Sequence, residues 1–310
     1  MNAVPSDNHG RGVRVGIIDS LAALPDHLSS RHESAKVYDH YVNENANDTT
    51  GHGTDVTTLV SNTAQQVSLS LFRVIGSDPA RGLRSRLIEA IVDAGEGNVD
   101  VLNLSVGKCR NCRGLCSICR EAELVAQEDE VFIVAAAGNR SKSGERKGVA
   151  CPAIPEAVLS VAGYRPLCGR EIIRGDDSGQ WWVENGHTYG PYCGQQGCCS
   201  NSECEQNRHE TEWGGNVSFH NAAPDILAPV VEVHGNDLDK LVRQSGTSFG
   251  TPLVTGLAAI IFSELGDKGI DLSPTDLRQA IRFQSTEIDD GDYCKMDMKN
   301  TVSYLLNTVS

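Results

Sequence analysis

Gly246-Thr247-Ser248-Phe249-Gly250-Thr251-Pro252, continued by Leu253-Val254-Thr255-Gly256-Leu257-Ala258-Ala259-Ile260-Ile261-Phe262, is the stretch on which the fold turns. Its second half is almost wholly apolar. A run of that length bounded by a serine and a proline predicts a buried helix starting near Ser248. The first amides of such a helix have no partner inside it, and the positive end of its dipole lies there. An oxygen on Ser248 is therefore well placed to hold negative charge. A serine cap on a core helix is the plainer reading of the same residues. The chain upstream decides between the two.

Working outward, Val13-Arg14-Val15-Gly16-Ile17-Ile18 predicts a buried strand ending at Asp19-Ser20, followed by a polar loop as far as Thr49-Thr50. Gly51-His52-Gly53-Thr54-Asp55 opens a helix through Val60. Further strands are expected over 67–75, 99–106, 131–137 and 157–162, and helices over 83–94 and 121–127. Ser273-Pro274-Thr275-Asp276 reads as another helix start, with serine as cap and proline in the first turn. Strands alternating with helices predict an α/β fold with a mainly parallel sheet. Two stretches break the rhythm, at about 108–120 and 166–216, and read as cysteine-rich insertions on a single domain spanning 1–310.

The net charge of −14 argues against a nucleic-acid partner, because phosphate binding needs a basic surface. No stretch reads as the ~20 apolar residues that cross a membrane, so no membrane partner is expected. The first residues, Met1-Asn2-Ala3-Val4-Pro5, lack the charged-then-apolar pattern of a secretion signal, and a cytoplasmic protein is expected. Eleven cysteines in a reducing compartment point to metal ligands before disulfides.

In an open parallel sheet, ligands bind beyond the carboxyl ends of the strands. Asp19 ends a strand, and His52 and Ser248 each sit at a helix start, so all three are expected on one edge. A serine oxygen becomes a nucleophile when a base takes its proton, which histidine does at neutral pH. A buried carboxylate fixes the histidine tautomer and stabilises the imidazolium that forms.

Ile17-Ile18-Asp19-Ser20, Gly51-His52-Gly53-Thr54 and Gly246-Thr247-Ser248-x-x-x-Pro252 resemble the three signature stretches of the subtilisin-like serine proteases, in the same Asp, His, Ser order. Ala136-Ala137-Gly138-Asn139 is similar to the family's strand end whose asparagine donates to the oxyanion. The resemblance covers roughly residues 13–163 and 217–284 and implies a three-layer subtilisin-like fold. It also implies a serine endopeptidase acting on a protein or peptide, with Asp19, His52, Ser248 and Asn139 catalytic and no cofactor for the chemistry. Leu104-Ser105-Val106-Gly107 corresponds to the strand that pairs with the substrate backbone. Ala136, Ala137 and Gly138 lie along the pocket, Asp78 to Arg81 flank the other side of the peptide, and Ala150 falls at the pocket floor. A small residue there implies a preference for Leu, Phe, Tyr or Met before the cut. Leu21, Thr57-Thr58, Phe249, Gly250 and Leu253 depart from the family's commoner residues, and none removes a group with a chemical role. Only 18 residues precede Asp19, too few for the pro-domain of secreted relatives, which leads to the expectation of an intracellular form with an unknown regulatory partner.

Cys109-x2-Cys112-x3-Cys116-x2-Cys119 offers two pairs with the spacing by which a turn presents two sulfurs to one tetrahedral ion. A structural zinc is the first reading; an iron–sulfur cluster, disulfides or separate thiols are the others. Cys193, Cys198, Cys199 and Cys204, with Cys168, His187 and His209 nearby in sequence, are a second metal candidate against disulfides or unpaired thiols. Cys151, beside the pocket, reads as a plain buried thiol, and no calcium ligand set is placed. Two other readings of function stand beside the protease. One is a catalytically silent scaffold on the same fold, and the other is a zinc-stabilised peptide-binding adaptor.

Overall fold

The computed structural model describes residues 9–21, 23–24, 26–38, 48, 50–76, 82–107, 114–138, 149–167, 182–184, 187–189, 210–214, 224–229, 233–234, 241–242, 246–288, 293–295 and 297–308. Its centre is a parallel sheet. The strands are β1 (Arg14–Asp19), β2 (His32–Val37), β3 (Ser68–Arg73), β4 (Val101–Leu104), β5 (Phe132–Ala136) and β6 (Leu159–Leu167). Two short strands, β7 (Trp182–Glu184) and β8 (His187–Tyr189), pair with each other, and β9 (Glu210–Gly214) runs antiparallel to β6. β10 (Ile226–Pro229) returns to the sheet, and β11 (Val233–His234) pairs with β12 (Leu241–Val242). An antiparallel pair, β13 (Thr286–Ile288) and β14 (Tyr293–Lys295), closes one edge. The order across the sheet is β13-β14-β10-β6-β5-β4-β1-β3-β2. From β2 to β10 every neighbouring pair is parallel.

Among the described residues the α-helices are α1 (His52–Thr63), α2 (Leu83–Glu96), α3 (Ser117–Glu128), α4 (Thr247–Gly266), α5 (Pro274–Gln284) and α6 (Met298–Thr308). They cover both faces of the sheet, because parallel strands need crossovers and must be buried on both sides. Val15 and Ile17 of β1, Leu69 and Leu71 of β3 and Phe132 and Val134 of β5 face α1, α4, α5 and α6. Ile18, Phe72, Leu102, Leu104, Ile133 and Ala135 point the other way, onto α2 and α3. Strict alternation of one strand between two cores is what a period of two residues dictates. The result is a three-layer α/β subtilisin-like fold.

α4 carries the expected apolar run and is buried nearly all round, as a helix through the middle of a core must be. Against the expectation that no stretch is long and apolar enough to cross a membrane, this helix is, by length and composition; 78% of its apolar window is buried against the protein. Ser273 caps α5 as its sequence predicts, accepting from the Asp276 amide at 3.1 Å. α3 begins at Ser117, earlier than the expected start at residue 121, with Cys116 as its cap. The second Cys-x2-Cys pair therefore belongs to the core helix: Ile118 and Cys119 are buried against α2 and β5.

Candidate active site

β5, β4 and β1 lie side by side, so their carboxyl ends deliver residues 137–138, 105–107 and Asp19 to one rim of the sheet. Asp19 is fully buried there. Its carboxylate brackets His52 Nδ1, with Oδ1 at 2.8 Å and Oδ2 at 3.0 Å. With that acceptor in place Nδ1 carries the hydrogen, and Nε2 keeps its lone pair for a proton from elsewhere.

His52 reaches Asp19 because α1 begins against the end of β1. A Cβ on Gly53 would stand 2.6 Å from the Leu21 amide nitrogen and 3.0 Å from that of Ser20, so only glycine allows this approach. The Gly53 amide donates to Ser20 Oγ at 2.9 Å, and the Ser20 amide donates to Asp19 Oδ1 at 2.8 Å.

Asp48 holds the same corner from the loop before α1. Its Oδ1 lies 2.8 Å from Ser20 Oγ, which donates to it, and accepts from the Thr50 and Gly51 amides at 3.1 and 3.0 Å. Its Oδ2 accepts from the Thr54 amide and hydroxyl, both at 2.8 Å. Burial pushes the Asp48 carboxyl up, but the bonds from Thr54, Ser20 and Thr50 outweigh it and hold the group below the usual carboxylate range. For His52, burial pulls the imidazole down. The charge and hydrogen bond of Asp19, helped by the charges of Asp48 and Asp55, overcome this and raise it above its ordinary value. Asp55 is itself buried, 5% exposed.

Ser248 sits in the first turn of α4, where the amides have no helical acceptor. Its hydroxyl donates to the Ser105 carbonyl at 3.0 Å, and the Ser105 hydroxyl donates to the Ser248 carbonyl at 2.9 Å. The cause lies one turn on. Pro252 has no N–H to give the Ser248 carbonyl, so that acceptor is left for a side chain. Buried Asn103 completes the tie, donating to Ser105 Oγ and accepting from Thr255 Oγ1, each at 3.0 Å. The next residue after the serine, Phe249, packs its ring against His52, with centroids 5.4 Å apart. Asp19, His52 and Ser248 thus share one rim, with the serine hydroxyl turned to the β4 extension.

The flanking residues line up alongside. Leu104 is fully buried on the α2–α3 side, so it offers only its backbone, while Val106 is nearly buried and Gly107 exposed. Ala136 ends β5 and Ala137 follows it, and the Gly138 amide donates to Thr247 Oγ1 at 3.0 Å, fixing that strand end to the start of α4. The Ala150 amide donates to the Ala137 carbonyl at 2.8 Å, so the expected floor and wall of the pocket are hydrogen-bonded neighbours. Asn139, residues 78–81, Cys109, Cys112, Cys168, Cys193, Cys198, Cys199 and Cys204 lie outside the described residues.

Of the cysteines, Cys116, Cys119 and Cys151 come together, their sulfurs within 4.8 Å of one another. Cys151 was not expected in this group, because spacing along the chain carries no sign that the pocket loop meets α3. Asp48 and Asn103 were missed as well. One lies in an aperiodic polar loop and the other is a polar residue inside a strand.

The subtilase family model matches residues 10–295. Subtilisin DY of Bacillus licheniformis is 26% identical over 295 residues, covering 92% of this chain and 87% of that protein. The subtilase-type proteinase RRT12 of Saccharomyces cerevisiae is 28% identical over 297 residues, 90% of this chain, which spans about half (48%) of that longer relative. Among solved structures, the prenylagaramide maturation protease PagA has the same fold, with a TM-score of 0.67 at 20% identity over 96% of this chain and 94% of that one.

Proposed function

The chain belongs to the subtilase family of serine proteases, and from that premise we propose that it is an endopeptidase cutting through an acyl-enzyme formed on Ser248. The observation that carries the reading is the Asp19–His52 contact, made by a fully buried carboxylate to Nδ1 alone. It leaves Nε2 as the base, on a ring that packs 5.4 Å from the ring of Phe249, the residue after Ser248.

A peptide enters as an extra strand beside 104–107, with the residue before the cut between 136–138 and Ala150. The Ser248 hydroxyl turns from the Ser105 carbonyl to His52 Nε2. As Oγ attacks the scissile carbonyl, its proton passes to Nε2, and Asp19 stabilises the imidazolium. Negative charge gathers on the carbonyl oxygen, where the Ser248 amide and the Asn139 side chain donate to it. The imidazolium then protonates the leaving amine. Water, activated through His52, clears the acyl group by the same route reversed.

A peptide-library digest tests this reading. Cleavage inside the peptides, after Leu, Phe, Tyr or Met, and its loss in Ser248→Ala, is the expected result. Trimming from the ends only, or cleavage unchanged in Ser248→Ala, refutes it.

A further inference from the structure

The three thiols outside the catalytic rim are arranged as a site. Cys116 caps α3 and Cys119 lies one turn in, so a Cys-x2-Cys pair shares the helix's amino-terminal turn. Thiolates there face unpartnered amides and the positive end of the dipole. Cys151 approaches from the pocket loop and is fully buried, as is Cys119. Four tetrahedral sulfurs about 2.3 Å from a zinc ion stand about 3.8 Å from one another. Here all three sulfurs fall within 4.8 Å, and Cys116 and Cys151 lie 3.2 Å apart, well beyond a disulfide bond of about 2.05 Å.

We propose that Cys116, Cys119 and Cys151 bind a soft divalent cation of the zinc class as thiolates, and that this ion ties the substrate pocket to α3. Binding releases the thiol protons and leaves the ion's charge and oxidation state unchanged, so no oxidant or reductant is needed.

The position of Cys151 gives the ion a consequence, which rests on the protease reading. Ala150, directly before it, is bonded to the Ala137 carbonyl, and a Cβ on Gly107 would come 2.5 Å from the Cys151 carbonyl oxygen. The strand extension 105–107, the β5 end and the pocket loop thus converge on Cys151, the pocket-loop residue that the ion would hold.

The test uses the full chain, purified under reducing conditions without chelator. Elemental analysis is expected to give about one zinc per chain. Replacement by Co2+ is expected to give thiolate-to-cobalt charge-transfer bands, which weaken in Cys151→Ser and not in Cys294→Ser. In the wild type, half-buried Cys116 resists alkylation and becomes reactive when the ion is chelated. That readout stands even where Cys151→Ser does not fold. Cobalt bands identical in Cys151→Ser, alkylation of Cys116 indifferent to metal, or a Cys116–Cys151 disulfide in the reduced preparation overturns the site. None of these measurements needs catalysis, so they hold apart from the protease reading. Its own check is labelling of Ser248 by a fluorophosphonate. Slower labelling and a higher KM in the chelated protein, with kcat little changed, is the result expected for the pocket tie.

Discussion

Ser105 and Ser248 exchange two hydrogen bonds, each hydroxyl donating to the other residue's carbonyl, at 2.9 and 3.0 Å. One bond exists because Pro252 withdraws the helical donor from the Ser248 carbonyl, and the other holds the Ser248 hydroxyl on the extension of β4. Ser105→Ala leaves the Ser248 carbonyl and the Asn103 amide short of a partner, a loss of about 1–3 kcal/mol in unfolding free energy. The helix start then loosens, and kcat falls toward the about 10²-fold loss that a displacement of about 1 Å produces. In a Pro252→Ala background the helix supplies its own donor, so the same Ser105→Ala substitution costs less stability. Urea titrations of the four proteins check this.

Asp19→Asn keeps the shape of the carboxylate but turns one oxygen into a donor, which sets His52 in the wrong tautomer. The expected drop is about 10⁴ in kcat, the magnitude known for this change in another triad protease, with a melting curve close to wild type. Gly53→Ala reaches the same end by sterics. Its Cβ would strike the Leu21 backbone at 2.6 Å, moving α1 and His52 off Asp19. Activity and stability fall together in that variant, which steady-state kinetics and thermal melts distinguish from Asp19→Asn.

The His52 imidazole is raised above its ordinary 6.5 because Asp19, with Asp48 and Asp55, outweighs burial. Activity needs His52 neutral, so the acid limb of kcat/KM lies above pH 6.5. Asp48→Asn removes one negative charge, and the limb is expected to move to lower pH. The same change weakens the carboxylate bonds to Thr54 and Gly51 at the start of α1, at a cost of about 1 kcal/mol. A pH–rate profile beside a urea titration separates the two effects.

Ala150 and Ala137 are joined by a backbone bond, so main chain fixes the position of the proposed pocket floor and the side chain at 150 would set its depth. Ala150→Phe is expected to fill the pocket and shift cleavage from Leu, Phe, Tyr and Met to Ala and Gly. A library profile that stays on large residues would place the floor elsewhere.

That Asp19, His52 and Ser248 would lie at one end of the sheet was legible because each sits in a motif that dictates backbone as well as chemistry. Gly53 next to His52 permits the close packing on Leu21, and Pro252 after Ser248 frees a carbonyl. What stayed hidden depends on contacts between distant segments. Asn103 looks out of place in an apolar strand until Thr255 and Ser105 arrive from α4 and the strand end to satisfy it. β2 reads His-Glu-Ser-Ala-Lys-Val and is a largely exposed edge strand, so no buried face imposed an alternating pattern on it. α3 begins at Ser117 behind a cysteine cap, and cysteine is not among the residues that announce a helix start. Phe249, a departure from the family's commoner residue, has a role visible only in space, against the His52 ring.

The central claim is that Asp19 and His52 activate the hydroxyl of Ser248. A fluorophosphonate probe followed by intact-mass and peptide analysis tests it most directly. One adduct on Ser248 in the wild type is predicted, with none in Ser248→Ala and strongly slowed labelling in His52→Ala. An unlabelled wild type that is folded and metal-replete, or an adduct on another serine, would contradict it.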